Sequence, residues 1–533
     1  MAVLVIEPSL TSIPDSSPII VFEDEHLLVV NKPPGWNTHS PSEFAGEGVY
    51  EWLKFRERRW AQLAIIHRLD KETSGVMVFS KTPEANRSLT QQFTEGKVRK
   101  EYVLQTMGRP PKGELIVQSR LARAGERYRS VRGGGVEAVT EFKVLRRDGP
   151  ITTILARPQT GRTHQIRVHA AENGFPILGD ALYGGAAHRR LCLHARSISF
   201  AHPAGGRLME FEQLAFFEQD ASELLRQMID CNDTNAFRLV HGAADGFPNW
   251  YLDQFGANFL SQGPSELTGV ALDYVKRRCH GRTVYHKITT ARVRETTTEE
   301  ASPKLICGEP ATNPFVILEN GARFEISFDE GYSVGLFLDQ RDNRRRLLNK
   351  YAGPGFELEG KEALNTFAYT CGFSVCAALA GMRATSLDLS RKYLDWGRRN
   401  FELNSLNPAD HDFIYGDVFE WMKRLGKKGR QFDLILLDPP TFSKSKESGV
   451  FRAETDYPRL VADALRLLRK GGVLFASSNA ARWAPETFLA AIHSAIDLAG
   501  RRIVQEKYFP QPPDFPISRE EPGYLKTVWL RVE

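Results

Sequence analysis

The chain has 533 residues, of which 42% are hydrophobic, 10% aromatic and 25% charged. At roughly 150 residues per domain this implies about three or four domains, and the composition excludes collagen-like, mucin-like and mainly disordered chains. Lys+Arg number 70 against 65 Asp+Glu, and a net charge of +5 permits nucleic-acid binding without demanding it.

Six scattered cysteines with no C-x-x-C pair point to a reducing compartment without a disulfide framework. No Cys/His cluster has zinc spacing, so no metal is expected. Met1–Leu10 lacks a basic n-region, and no stretch nears ~18 apolar residues. A soluble cytoplasmic protein with no membrane span is the expectation.

In chain order, Pro18–Val30 reads as two short strands around an acidic turn, and Val76–Ser80 and Tyr102–Met107 as further strands. Thr82–Phe93 reads as a helix with proline near its start. Ala138–Arg146 and Ile151–Ala156 pair across Asp148-Gly149-Pro150. This section is expected to be α+β, with a mixed, mainly antiparallel sheet dominating. A helical pattern over Asp220–Met228 leads into the polar linker Cys231–Asn235 and then shorter strand-like pieces, broken by the polar run Glu295–Lys304. They read as a small α+β domain.

The last 200 or so residues alternate strand and helix: Ala363–Phe367, Gly372–Ala380, Ala384–Leu389, Arg391–Asn404, Asp412–Tyr415, Val418–Leu425, Phe432–Leu437, Tyr457–Leu468, Gly472–Ala476. This rhythm predicts a parallel, doubly wound α/β sheet. The expected domains are 1–220, 232–330 and 331–533.

Two constellations carry chemistry. His67-Arg68-Leu69-Asp70 follows an apolar run and precedes turn-forming residues, a placement that suits a reactive carboxylate as well as a satisfied turn Asp. Gly161–His169 carries two Arg and two His, and read as a strand it offers Arg167 as a partner that keeps a carboxylate such as Asp70 ionised. HRLDKETSG, RKEYVL, TGRTHQIRVHA, PILGDALYG and LCLHA resemble the RluA-type pseudouridine synthases over about residues 18–205. The resemblance implies that Asp70 isomerises uridine in RNA without metal or cofactor, with Tyr102 stacked near the base and Arg167 paired to Asp70. It also implies that Arg68 fills the space of a flipped nucleotide, and it leaves Arg162 and His164 as RNA contacts.

The second constellation lies in the C-terminal sheet. Tyr369-Thr370-Cys371-Gly372 joins a strand to a helix, a loop that lets a ligand approach backbone N–H groups. Asp388, Asp417 and Asp438 end three successive strands, on the edge where open α/β sheets bind ligands. GLFLDQRDNRR, LNTFAYTCGFS and FDLILLDPPTFSKSK resemble the class I, Rossmann-like S-adenosylmethionine-dependent methyltransferases. More narrowly they resemble the rRNA large-subunit enzymes that make 5-methylcytosine or 7-methylguanine, over about residues 236–533. That implies S-adenosylmethionine as cofactor and RNA, rRNA above all, as partner. Asp388 would bind the ribose, Asp417 lie near adenine, and Tyr369, Thr370 and Gly372 lie near the methionine part. Asp339, Arg341 and Asp438 would line the pocket, while Pro439, Pro440 and Phe442 hold the acceptor base.

Two departures qualify the resemblance. Cys371 stands where the family has glycine. The segment Phe475–Ala480 lacks the cysteine that 5-methylcytosine chemistry needs to add to C6, which favours a guanine ring nitrogen as acceptor. The expectation is a bifunctional RNA-modifying enzyme. The alternative is a pseudouridine synthase whose degenerate methyltransferase fold only binds RNA. Basic stretches Lys54–Arg59, Arg120–Arg132, Arg341–Arg346 and Lys423–Arg430 are candidate phosphate contacts.

Overall fold

The computed structural model describes residues 19–45, 48–110, 112–289, 301–331, 333–445, 447 and 449–533; Met1–Leu10 and most of the run from Glu295 lie outside them. The chain divides into two units. One runs to Asp230 apart from 41–47 and 54–61; the other comprises those two segments and Cys231–Glu533.

In the first unit the strands are β1 (Ile20–Glu23), β2 (Leu27–Lys32), β3 (Ala64–Ile65), β4 (Ser74–Ser80), β5 (Arg99–Thr106) and β6 (Glu114–Ala124). β7 (Arg127–Ser130), β8 (Val136–Asp148), β9 (Ile151–Pro158), β10 (Leu193–Ala201) and β11 (Leu208–Glu212) complete the set. They form one sheet in the order β1-β2-β4-β10-β5-β9-β8-β6-β7, with β3 beside β4 and β11 beside β10. The named pairings are antiparallel except β4 with β10, so the sheet is mixed and mainly antiparallel. β4 is buried at all seven positions, as an apolar run flanked on both sides must be. Gly75 lies there at φ +123, and a Cβ would meet the Ala195 carbonyl oxygen at 2.2 Å, so only glycine allows the close β4–β10 approach. The helix Pro83–Thr94 is capped by the Thr82 hydroxyl, which accepts from the Ala85 N–H, and it buries Leu89 against Val76 and Val78.

One expectation fails here. Gly161–His169 is not a strand: His164 takes a left-handed conformation (φ 56) and starts the helix Gln165–Glu172. Ile166 and Ala170, four apart, face the core beneath β5, β8 and β9.

In the second unit β12 (Ala236–His241), β13 (Tyr251–Phe255), β14 (Asn258–Gly263), β15 (Val284–Ile288) and β16 (Lys304–Cys307) pair in chain order. β17 (Phe315–Glu319) and β18 (Ala322–Ile326) make a hairpin, and β19 (Tyr351–Gly353) and β20 (Phe356–Glu357) a short pair. The large sheet contains β21 (Glu362–Thr366), β22 (Arg383–Asp388), β23 (Asp412–Tyr415) and β24 (Phe432–Leu437). After the hairpin β25 (Phe442–Ser445) and β26 (Gly449–Arg452) come β27 (Leu468–Ser478), β28 (Ile503–Phe509) and β29 (Lys526–Val532).

The order of the large sheet is β23-β22-β21-β24-β27-β29-β28. β21 to β24 and β27 run parallel, but β29 is antiparallel to both neighbours, so the expected all-parallel sheet is corrected at one edge. Both faces are covered. Leu394, Phe401 and Val375 pack on one side; Val418, Leu460, Val461 and Phe488 pack on the other. The expected boundary at 330/331 is not a break: Phe255, Leu260 and Phe324 share one core with Ala363, Leu434 and Trp529.

Candidate active sites

In the first unit Asp70 stands in the turn between β3 and β4, where the Thr73 N–H donates to its carbonyl at 3.1 Å. The turn is pinned from both sides. Buried Thr38 bonds the Leu69 carbonyl (2.9 Å) and N–H (3.1 Å). Lys32, fully buried, donates to the carbonyls of Pro33, Trp36 and Lys71 at 2.8, 2.6 and 3.0 Å. Burial pulls the Lys32 ammonium down to about 7, against the attraction of Glu72 and Asp70.

Asp70 Oδ2 lies 3.9 Å from Arg167 Nη1 and 4.0 Å from His164 Nε2. The expected Arg167–Asp70 pair is present, but it is shared: Arg167 grips Asp180 with Nε and Nη2, both at 2.7 Å, and presents its remaining nitrogen to Asp70. Asp180 is completely buried, so this charge-assisted fork fixes the guanidinium plane. His164 Nδ1 bonds the Tyr183 hydroxyl at 2.8 Å, and burial lowers its pKa, leaving a neutral ring beside Asp70. Tyr102 projects from β5; burial, and then the Asp70 charge, push its phenol well above its ordinary value, so it stays protonated. Arg68 is exposed, and so is Arg162, whose Nε donates to the Glu137 carbonyl. Asp180, Tyr183 and Lys32 escaped the sequence reading. Asp180 lies in the quoted PILGDALYG segment, but no spacing shows that it would claim Arg167.

In the second unit the loop after β21 turns on three left-handed non-glycine residues, Phe367 (φ 55), Tyr369 (φ 50) and Cys371 (φ 64). Cys371 thus adopts the conformation that favours glycine, and its thiol is fully buried and pushed up to about 12. The loop is nevertheless built. The Tyr369 N–H donates to Asp388 Oδ2 at 2.8 Å, the Ser390 N–H to Oδ1 at 2.8 Å, and Asn400 to the Thr370 carbonyl at 2.9 Å. Gly372 opens the helix Gly372–Leu379. Burial raises the Asp388 carboxyl from its ordinary value against the pull of its two backbone N–H bonds. A carboxylate has about four acceptor sites, so the two bonds leave capacity for further donors. Phe337, Tyr369 and Tyr393 form a row of aromatic rings next to it, with centroids 5.3 and 4.6 Å apart.

Asp438 follows β24. Gln340 Nε2 donates to its Oδ1 at 3.2 Å and to Ser477 Oγ at 2.8 Å, while Gln340 Oε1 accepts from Asn343. Burial raises Asp438 to about 6, with Ser477 lowering it and Asp339 raising it. Asp339, also raised by burial, accepts from the Tyr524 hydroxyl at 2.9 Å. Pro439 is buried, Pro440 exposed and Phe442 half-buried at the start of β25.

Arg341 is buried in a bidentate pair with Asp514, at 2.6 and 2.8 Å. Asp417 Oδ1 caps the helix Val418–Lys427 at the Glu420 N–H. One expectation changes. Arg341–Arg346 is no phosphate-binding stretch, because Arg341, Arg344 and Arg346 are buried and Arg344 grips Glu319. By contrast Arg120, Arg123, Arg127, Arg129 and Arg132 are exposed. Gln340, Ser477 and Tyr524 were missed, although Gln340 lies between two residues that were singled out. Among the described residues no group of three or more His, Cys, Asp or Glu could hold a metal, and no helix is long and apolar enough to cross a membrane.

Comparison with known proteins assigns both halves. Residues 26–172 match the RNA pseudouridylate synthase family and 281–531 the S-adenosylmethionine-dependent methyltransferase family. A ribosomal RNA large subunit methyltransferase of Deinococcus radiodurans is 32% identical over 312 residues, 56% of this chain and 73% of that protein. Ribosomal RNA large subunit methyltransferase I of Erwinia tasmaniensis is 32% identical over 324 residues, 59% of this chain and 79% of that protein. Ribosomal RNA large subunit methyltransferase K of Neisseria meningitidis is 35% identical over 198 residues, 37% of this chain and 54% of that protein. The chain belongs to the ribosomal RNA large subunit methyltransferases and carries, ahead of that enzyme, an RNA pseudouridylate synthase domain of the RluA type.

Proposed function

We propose that the chain is a bifunctional cytoplasmic enzyme of rRNA modification, isomerising a uridine with Asp70 and methylating a guanine ring nitrogen with the second site. In the first site Asp70 acts on the flipped uridine, covalently or as a base, with no cofactor and no metal. Arg167, fixed by Asp180, sets its positive charge 3.9 Å from the carboxylate. Tyr102 and neutral His164 close the pocket without adding charge.

In the second site S-adenosylmethionine, when bound, supplies an electrophilic methyl group. Asp388 holds the ribose and Tyr369, Thr370 and Gly372 the methionine end, while Pro439, Pro440 and Phe442 position the acceptor base. The observation that carries the acceptor assignment is at the end of β27. Ser477 Oγ stands 2.8 Å from Gln340 there, and Phe475–Ala480 contains no thiol. Cytosine C5 needs a thiolate to add at C6, whereas a ring nitrogen already has a lone pair and needs only position and field.

The test is incubation of the full chain with unmodified rRNA and S-adenosylmethionine, followed by nucleoside analysis. Pseudouridine plus a ring-methylated guanosine is expected, and 5-methylcytidine overturns the acceptor assignment. Asp70→Asn should lose pseudouridine alone; retained isomerisation removes Asp70 from its role.

A further inference from the structure

Tyr457 is fully buried on the helix Ala453–Leu465, yet its hydroxyl carries three bonds to main chain at the edge of the second site. The Ser477 N–H donates to it at 2.9 Å. Its single proton is shared between the carbonyls of Ser477 (2.8 Å) and Leu437 (3.1 Å). These carbonyls mark a particular place in the sheet. The β24–β27 ladder ends at the pair Leu437↔Ala476, and Asp438 and Ser477 are the next residues on the two strands. Parallel strands that part need another partner for their backbone groups, and the phenol supplies it. Trp483 and Phe488 hold the ring edge-on, with centroids at 5.7 and 5.4 Å, so the hydroxyl cannot swing away. From Ser477 the chain of contacts continues through Gln340 to Asp438.

We infer that Tyr457 is a positioning residue for methyl transfer: its hydroxyl fixes the spacing of the two strand ends and so places Asp438-Pro439-Pro440 against the methyl donor. The inference rests on the methyl-transfer reading above. Misplacement by about 1 Å can cost on the order of 100-fold in rate. Removing the hydroxyl should therefore act on the chemical step and leave donor binding alone.

The experiment is Tyr457→Phe in the full chain. The expected result is kcat for methylation at least tenfold lower at saturating RNA and S-adenosylmethionine, a donor Kd within threefold of wild type, and unchanged pseudouridine formation. An unchanged kcat overturns the inference, as does a loss of donor affinity that accounts for the fall in rate. Removing a buried hydroxyl can also unfold the unit, so a second variant carries 3-fluorotyrosine at 457, which keeps the hydroxyl and its donor. It should keep kcat within threefold of wild type; a loss as deep as that of the phenylalanine variant overturns the inference. A wild-type chain that methylates no RNA refutes the underlying reading instead, and the two failures are thereby distinct.

Discussion

Asp180→Asn tests how the first site is held. Arg167 and Asp180 form two bonds of 2.7 Å with side-chain exposures of 8% and 0%, and Asp180 Oδ1 also accepts from the Tyr183 N–H. The asparagine keeps the shape but leaves a buried guanidinium without its counter-charge, with only Asp70 at 3.9 Å to turn to. Breaking such a buried pair costs about 3–5 kcal/mol. At about 2–4 °C per kcal/mol for a unit of this size, the Tm of the first unit should fall by roughly 6–20 °C. Scanning calorimetry with and without S-adenosylmethionine reads this, because the ligand raises only the transition of the unit that binds it. Pseudouridine formation should fall as well, since the guanidinium is free to rotate onto Asp70. A loss under about 1 kcal/mol with isomerisation intact would refute the idea that Asp180 orients Arg167.

Four further outcomes follow from the second unit. Asp388→Ala removes the acceptor for the Tyr369 and Ser390 N–H groups, and S-adenosylmethionine affinity by titration calorimetry should weaken about 10–100-fold; an unchanged Kd places the donor elsewhere. Asp438 titrates at about 6 in the folded chain, so the methylation rate should fall on acidification through pH 6 and lose that step in Asp438→Asn, while a flat profile in the wild type contradicts the role. Since the folded value lies above the ordinary 3.8, the native state holds the proton more tightly. Stability should then decline by at most about 3 kcal/mol as pH rises from about 4 to 6, a decline absent from Asp438→Asn in urea titrations. Gly397 would carry a Cβ only 2.3 Å from Cys371 Sγ, so Gly397→Ala should cost about 1–3 kcal/mol. Adding Cys371→Gly should recover much of it, and strict additivity of the two changes by denaturant unfolding would count against the clash.

Legibility in the sequence followed the range of the interactions. The βα rhythm of the C-terminal half was readable because each strand is a short apolar run buried on both faces, as in Phe432–Leu437. The placement of β29 was not readable, because an antiparallel insertion between β27 and β28 is decided by pairing across the sheet rather than by a local pattern. Gly161–His169 misled because alternating charged residues imitate a strand, whereas the left-handed turn at His164 and the Ile166/Ala170 pair make a helix. Among the proposed site residues, Asp70, Asp388 and Asp438 were legible as acids at strand ends or turns. The partners of arginines did not: Asp514 is 173 residues from Arg341, and nothing near Arg341 signals that its charge is already claimed.

Nucleoside mass spectrometry of rRNA from cells that lack this gene, complemented with wild type, Asp70→Asn or Asp388→Ala, tests the account most directly. It predicts that deletion removes one pseudouridine and one ring-methylated guanosine. Asp70→Asn should restore only the methylation, and Asp388→Ala only the pseudouridine. Loss of 5-methylcytidine, or of pseudouridine with every methylated nucleoside unchanged, would contradict it.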